Sequence, residues 1–373
     1  MGGSVTEPNK IILIGKSAGR CEFRGCNKSV IQEDLTQSQK NLSNFAHIIA
    51  ERPNGPRGDE VLSDKLKNDV SNLMVLCRDH HKLIDDDVET YTVDVLKEMK
   101  KEYEEYIEKL LKIKQDAKFL AVKYTFSIAD RPTSINDADI NANAVKEKMY
   151  PDEIVDLSGS IYDEVNIESL FEIEAKHMKK LFQEKVKPKI GRDCKEKIFL
   201  YAIASQALLI YLGTLFSEIA NVEVQQLQRE PREWYLSDET ENEVSFKITY
   251  PEKKSSKVAL SISVTGDITE ERIRACVGDD CDIVKIESNI HGRDIIKSKK
   301  DLQNYRKVIR QVFEKIKDKY GRDCEINIFP AMPIAIAIET GRCWMKKADP
   351  ILNIFDERNG FKNVLKIQYE GEQ

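Results

Sequence analysis

Between Ser71 and Asp85 the chain places Cys77, His80, His81 and Asp85 within nine positions, and Cys21 and Cys26 lie upstream. Thiols and imidazoles are thus concentrated in the first quarter of a 373-residue chain. Cys21-x4-Cys26 and Cys77-x2-His80 offer four soft or borderline donors from two loops. A closed Cys3His set of this kind suits a tetrahedral, structural Zn²⁺, and a small domain gains folding free energy directly from such a metal. His47, in the run Phe45-Ala-His-Ile-Ile-Ala, is an imidazole on an expected strand, able to accept a proton near neutral pH. His81 and Asp85 are four apart on an expected helix and face the same way. Together they can hold one Mg²⁺, an ion that keeps several of its waters. Asp85 also opens an Asp run that would serve equally well as a helix cap.

The elements that must carry these groups can be read coarsely. Ile11 to Ile14 is a short apolar run, expected as an edge strand. Asp69 to Leu76 reads as a turn into a strand, the chain turns helical from Cys77, and Thr92 to Lys114 is a long charged helix with apolar residues at three- and four-residue spacing. That helix closes a first domain, 1–114. Residues 115–165, with Pro132, Pro151 and several Asn and Asp, read as a connector. From 166 to 373 helices and strands alternate, which means α/β layers. Ser298 is the expected N-cap of a helix reaching Lys319. The stretch 184–199 echoes 314–329: each ends a charged helix at Gly and leads into a strand beginning Ile-Phe. Two related α/β halves follow from that repeat, and a cleft between them suits a ligand with near-repeating parts.

Composition narrows the classes. The chain is 41% hydrophobic and 33% charged, enough to bury cores. It carries no apolar run long enough for a membrane span and no signal-peptide pattern, so a cytoplasmic location and metal-binding rather than disulfide-bonded Cys are expected. A net charge of −6 argues against a surface that binds nucleic acid throughout, although Lys and Arg slightly outnumber Asp and Glu in the first 84 residues.

The runs Ala46-His47-Ile48-Ile49, Ser71-Asn72-Leu73 and Leu76-Cys77-x-x-His80-His81-x-x-x-Asp85 resemble the HNH (ββα-metal) nucleases over about residues 18–90. The resemblance implies an α+β zinc-containing domain in which His47 is the general base, Asn72 orients it, and His81 and Asp85 hold the catalytic Mg²⁺. Ala46 stands where that family often carries an Asp, which makes Asp85 more necessary. Arg57, in Gly-Pro-Arg-Gly, is a candidate phosphate contact.

The later domain offers ligand edges at expected strand ends: Arg229, Arg232 and Trp234; Thr265 and Gly266, where backbone N–H groups can receive a phosphate; Pro330 and Met332; and Arg342, Trp344 and Lys346. Ordinary packing is an equal alternative for both Trp. With Ala202 to Gly213, Val258 to Gly266 and Ile328 to Arg342, this region looks like the SAVED domain, a fusion of two CARF-like (Rossmann-like) halves. The combination resembles the effector nucleases of bacterial cyclic-oligonucleotide anti-phage (CBASS) systems. It implies that a cyclic di- or trinucleotide drives homo-oligomerisation, dimer to tetramer, and switches on cleavage of double-stranded DNA. The alternative is a zinc-stabilised DNA-binding regulator with a nucleotide-sensing domain and no catalysis. A constitutive restriction enzyme is disfavoured by the acidic balance.

Overall fold

The computed structural model describes residues 5–33, 38–127, 133–159, 167–190, 196–217, 219, 221–239, 243–252, 254–292, 294–357 and 360–369. The chain divides into two compact units, 1–114 and 115–373.

In the first unit α1 (Glu7–Lys16) is followed by β1 (Asn44–His47), α2 (Leu62–Leu66), β2 (Leu73–Leu76), α3 (Arg78–Asp86) and α4 (Val93–Leu111). β1 and β2 pair antiparallel, with His47 opposite Leu73 and Asn44 opposite Leu76. All four residues of β2 are buried, because α1 packs on this strand while α3 packs on β1. Leu13, Ala46, Ile48, Ile84, Leu96 and Met99 complete the core. The run Ile11 to Ile14 is therefore helix and not the expected edge strand. Pro8 in the first turn and Lys16 in the last favour the helix, and only Leu13 of its apolar residues is fully buried. Thr92 caps α4, accepting from the Val95 N–H.

The second unit begins with β3 (Lys118–Thr125), α5 (Asp137–Lys146), β4 (Tyr150–Asp156), α6 (Ile167–Leu181), β5 (Ile198–Ile203), α7 (Gln206–Leu215) and β6 (Val222–Val224). These strands form one parallel sheet in the order β4-β3-β5-β6. The expected connector is thus corrected: β3 lies inside this sheet, beside β5, and residues 118–156 belong to the second unit. Pro151 lies within β4, Asn141 and Asn143 lie within α5 and Asn136 caps that helix, while Pro132 lies outside the described residues. A hairpin, β7 (Leu227–Arg229) with β8 (Arg232–Trp234), follows.

The second half holds β9 (Phe246–Thr249), β10 (Lys257–Ser263), α8 (Glu270–Val277), β11 (Cys281–Ser288), α9 (Lys299–Tyr320), β12 (Glu325–Ala331), α10 (Ile334–Arg342), β13 (Ile351–Glu357) and β14 (Phe361–Ile367). Its sheet runs β14-β13-β12-β10-β11-β9, parallel at the centre with antiparallel edges. Ser298 caps α9 in a reciprocal capping box with Asp301.

Strand side chains alternate between faces. Leu120, Val122, Ile198 and Leu200 of the first sheet share one core with Val258, Leu260, Ile326 and Ile328 of the second. Phe119, Ala121, Phe199 and Tyr201 face the other way, toward Trp234. At the heart of the shared core α7 and α10 cross. A Cβ on Gly213 would lie 2.0 Å from the Ile338 carbonyl oxygen, and one on Gly341 would lie 1.8 Å from that of Ile210. Each glycine meets the residue three places before the other, so the two β-strand–helix pairs that follow the sequence echo are related by a local twofold.

Candidate functional site

The metal cluster is assembled by three elements. The Cys21–Cys26 loop docks on the free edge of β2, where the Glu22 N–H donates to the Val75 carbonyl at 2.9 Å and the Val75 N–H donates to Glu22 Oε2 at 2.7 Å. Burial pushes the Glu22 carboxyl up to about 7. Cys77 is the residue before α3, and His80 lies in that helix's first turn. The donor atoms of Cys21, Cys26, Cys77 and His80 all fall within 4.8 Å of one another. His80 Nδ1 is 3.2 Å from Cys77 Sγ and 3.7 Å from Cys21 Sγ, and its ring stacks on Phe23 at 4.0 Å. Burial pushes the Cys21 thiol up to about 12, so thiolates need a cation here. Donor types and edge lengths fit a tetrahedral zinc.

His47 ends β1. Its Nε2 lies 3.0 Å from the Lys67 carbonyl oxygen. A carbonyl only accepts, so Nε2 carries a proton, and in the neutral tautomer Nδ1 is the acceptor. Asn72 is buried and grips the backbone two residues beyond His47: its Nδ2 donates to the Ile49 carbonyl at 2.9 Å and its Oδ1 accepts the Ile49 N–H at 2.9 Å. It braces the backbone just beyond β1. His81 Nε2 and Asp85 Oδ2 come within 3.5 Å on α3, and both side chains are partly exposed.

Arg57 corrects an expectation. Its side chain is 4% exposed, and it cannot reach a DNA phosphate. Nε donates to the Ile48 carbonyl at 2.8 Å, Nη1 to the Ile84 carbonyl, and Nη2 to Asp85 Oδ1 at 2.7 Å. The same Nη2 lies 3.5 Å from the His47 carbonyl. One guanidinium thus ties the strand of His47 to the helix of His81 and Asp85. It also engages one oxygen of Asp85, leaving the other toward His81. This pair fits a cation that keeps most of its waters; among the described residues no third acidic, His or Cys donor joins it.

In the second unit a cleft of about 470 Å³ opens at the carboxyl ends of β5, β12 and β13, where α7 and α10 begin. Such ends are where open α/β sheets hold ligands. Arg229, Thr265, Pro330 and Met332 line it as expected. The other expected contacts do not. Trp234 is buried edge-on against Tyr201. Arg232 faces solvent and pairs with Asp139 at 3.3 Å. Arg342 binds Glu339 at 2.9 Å and the carbonyls of Val222 and Ile219. Trp344 is buried and donates to the Pro350 carbonyl. Lys346 follows the far end of α10, about 13 Å along the helix from the cleft. Gly266 lies outside the lining, and the loop's expected anion-binding groups are taken: the Val264 and Thr265 N–H groups both donate to the Ala331 carbonyl.

Lining residues missed in the sequence include Ser205, Gln206, Gln226, Asp294, Asp356 and Glu357. Gln206 and Gln226 join the halves, accepting the Met332 and Ala335 N–H groups at 3.1 and 3.0 Å. A Ser that follows an apolar strand and precedes an apolar helix was the available signal for Ser205.

The second unit is thus a two-half α/β unit with a cleft where strands of both halves end. Residues 178–367 match the family model described as "SAVED: SMODS-associated and fused to various effectors sensor domain", and the chain belongs to that family. Among solved structures it is similar to the SAVED/CARF-domain containing receptor Cap4 of Acinetobacter baumannii with the cyclic trinucleotide 2′3′3′-cAAA. That match has a TM-score of 0.41 and 12% identity, and it covers 83% of this chain and 66% of that one. It is also similar to Moraxella osloensis Cap4, with a TM-score of 0.39 and 10% identity, covering 83% of this chain and 70% of that one. The chain thus spans about two thirds of the first of these. No curated protein matches it. Among the described residues no helix is long and apolar enough to cross a membrane.

Proposed function

We propose that this chain is a bacterial anti-phage effector in which a cyclic di- or trinucleotide, bound in the cleft of the second unit, switches on a metal-dependent endonuclease of the HNH (ββα-metal) type in the first. The observation that carries the nuclease reading is the state of His47. Its Nε2–H is held by the Lys67 carbonyl, which makes Nδ1 the acceptor of the neutral ring, and Arg57 ties the His47 carbonyl to Asp85.

The residues divide the work as follows. Nδ1 of His47 takes a proton from the attacking water. Asn72 and Arg57 fix the backbone from the His47 carbonyl to Ile49. His81 and Asp85 would hold the Mg²⁺, whose charge stabilises the phosphorane and the leaving 3′ oxygen. Cys21, Cys26, Cys77 and His80 would hold the structural Zn²⁺ that ties the Cys21–Cys26 loop to the start of α3. Double-stranded DNA is the substrate, and a ligand-stabilised homo-oligomer brings two such centres to opposite strands. Gating protects the host, because a nuclease with little sequence readout would degrade its own genome.

The test is supercoiled plasmid with Mg²⁺ and the full chain, with and without a panel of cyclic di- and trinucleotides, and sedimentation alongside. Degradation is expected only with a bound cyclic nucleotide, and His47→Ala is expected to abolish it without weakening ligand binding. Cleavage that survives His47→Ala, or needs no ligand, sinks the proposal. Plasmid that is bound but never cut favours the non-catalytic regulator.

A further inference from the structure

Two helices begin at the cleft, and their first turns differ. At α10 protein groups already use part of the end: the Met332 N–H, just before the helix, donates to Gln206, and the first-turn Ala335 N–H donates to Gln226. At α7 it is open. Ser205 is the N-cap but makes no side-chain cap bond, although a Ser there ordinarily accepts from the N–H two or three residues on. Ser205 is 8% exposed, and its buried Oγ has no hydrogen-bond partner. The first intrahelical bond is Leu209 N–H to the Ser205 carbonyl at 3.0 Å. The N–H groups of Gln206, Ala207 and Leu208 therefore lack intrahelical acceptors. Charge in the cleft is divided the same way. The first half contributes Arg229 and no acid to the lining, whereas the second half contributes Asp294, Asp356 and Glu357, the last paired with Arg272.

We propose that the N-terminus of α7, with the Ser205 hydroxyl and Arg229, is a phosphodiester subsite of this cleft, and that the start of α10 is not. The inference rests on the reading of the cleft as a cyclic-oligonucleotide site and says which end takes the anion. A phosphate oxygen here accepts from first-turn N–H groups at the positive end of the helix dipole. It also gives the Ser205 hydroxyl the acceptor it lacks and gains a charge-assisted bond from Arg229. The acidic half then faces the bases, whose amino and imino groups are donors.

Titration calorimetry on the full chain tests this with 3′3′-cyclic di-AMP, 3′3′-cyclic GMP–AMP and 3′3′3′-cyclic tri-AMP, and 31P line broadening tests it with inorganic pyrophosphate. Ser205→Ala is expected to weaken the cyclic ligand that binds by about tenfold or more, the loss of a hydrogen bond to a charged group. It leaves Tm unchanged because no bond is lost in the free protein. Ser205→Asp is expected to abolish binding without lowering Tm, because a carboxylate suits a helix start but repels phosphate. If the wild type binds a cyclic nucleotide and both variants bind it within twofold, the subsite is refuted and the receptor reading stands. If no cyclic nucleotide binds but pyrophosphate does, in a Ser205-dependent way, the receptor reading fails and the subsite stands. If neither probe binds, both fall.

Discussion

Replacing Arg57 by Met tests whether one buried guanidinium holds the candidate catalytic centre together. Met retains most of the apolar stem and adapts to the space, so the loss is confined to hydrogen bonds. Those to the Ile48 and Ile84 carbonyls are part-buried. A bond from a charged donor contributes about 1.5–3 kcal/mol net, and the lower end applies where water can reach a vacated carbonyl. Asp85 is 35% exposed, so water replaces most of its pairing, worth about 0–1 kcal/mol. The 3.5 Å approach to the His47 carbonyl adds little. The expected destabilisation of the first unit is about 3 kcal/mol, a large share of the roughly 5–15 kcal/mol that holds a domain folded. Urea unfolding followed by far-UV circular dichroism reads both units. Tryptophan fluorescence reads only the second, because Trp234 and Trp344 both lie there. The fluorescence transition should stay in place while an earlier dichroism transition appears, and amide exchange should quicken in residues 44–49 and 78–86. A shift below about 1 kcal/mol with unchanged exchange would mean that Arg57 is not the brace described.

Two further outcomes follow from the packing and the Cys/His cluster. Gly213→Ala or Gly341→Ala drives a methyl into a backbone carbonyl of the opposing helix. Each should cost about 3 kcal/mol, the upper end for overpacking because backbone cannot move aside as a side chain can; an unchanged fluorescence melt would contradict the close crossing. The purified chain should contain a single zinc by elemental analysis. Its removal by a chelator, or Cys77→Ser, should unfold the first unit while tryptophan fluorescence stays native; a metal-free chain with intact helical dichroism would refute a structural zinc.

Much of this protein was legible before its fold. Cys21, Cys26, Cys77 and His80 could be grouped from spacing, because short loops leave few ways to place such donors. Ser298 announced α9, since a cap and its box are local chemistry. The echo of 184–199 in 314–329 announced two halves, and β5 with α7 and β12 with α10 follow those segments. Where the reading failed, the deciding contacts were distant in sequence. The apparent connector supplied β3, an interior strand whose Leu120 lies opposite Ile198 of β5, 78 residues on.

The amino-acid sequence by itself determined the local devices: the Cys/His ligand set, the placing of His81 and Asp85 on one face of a helix, the cap of α9, and the alternation that makes α/β layers. These depend on spacings of a few residues, which covalent geometry and helix or strand period set. Only the tertiary structure decided that Arg57 is a brace rather than a phosphate contact, that Trp234, Arg342 and Trp344 belong to the packing, and that Ser205 stands open at the cleft while Gln226 engages the first turn of the counterpart helix. Those roles depend on which strand ends converge, and convergence is fixed by the burial of whole faces, a property that no short stretch of chain contains.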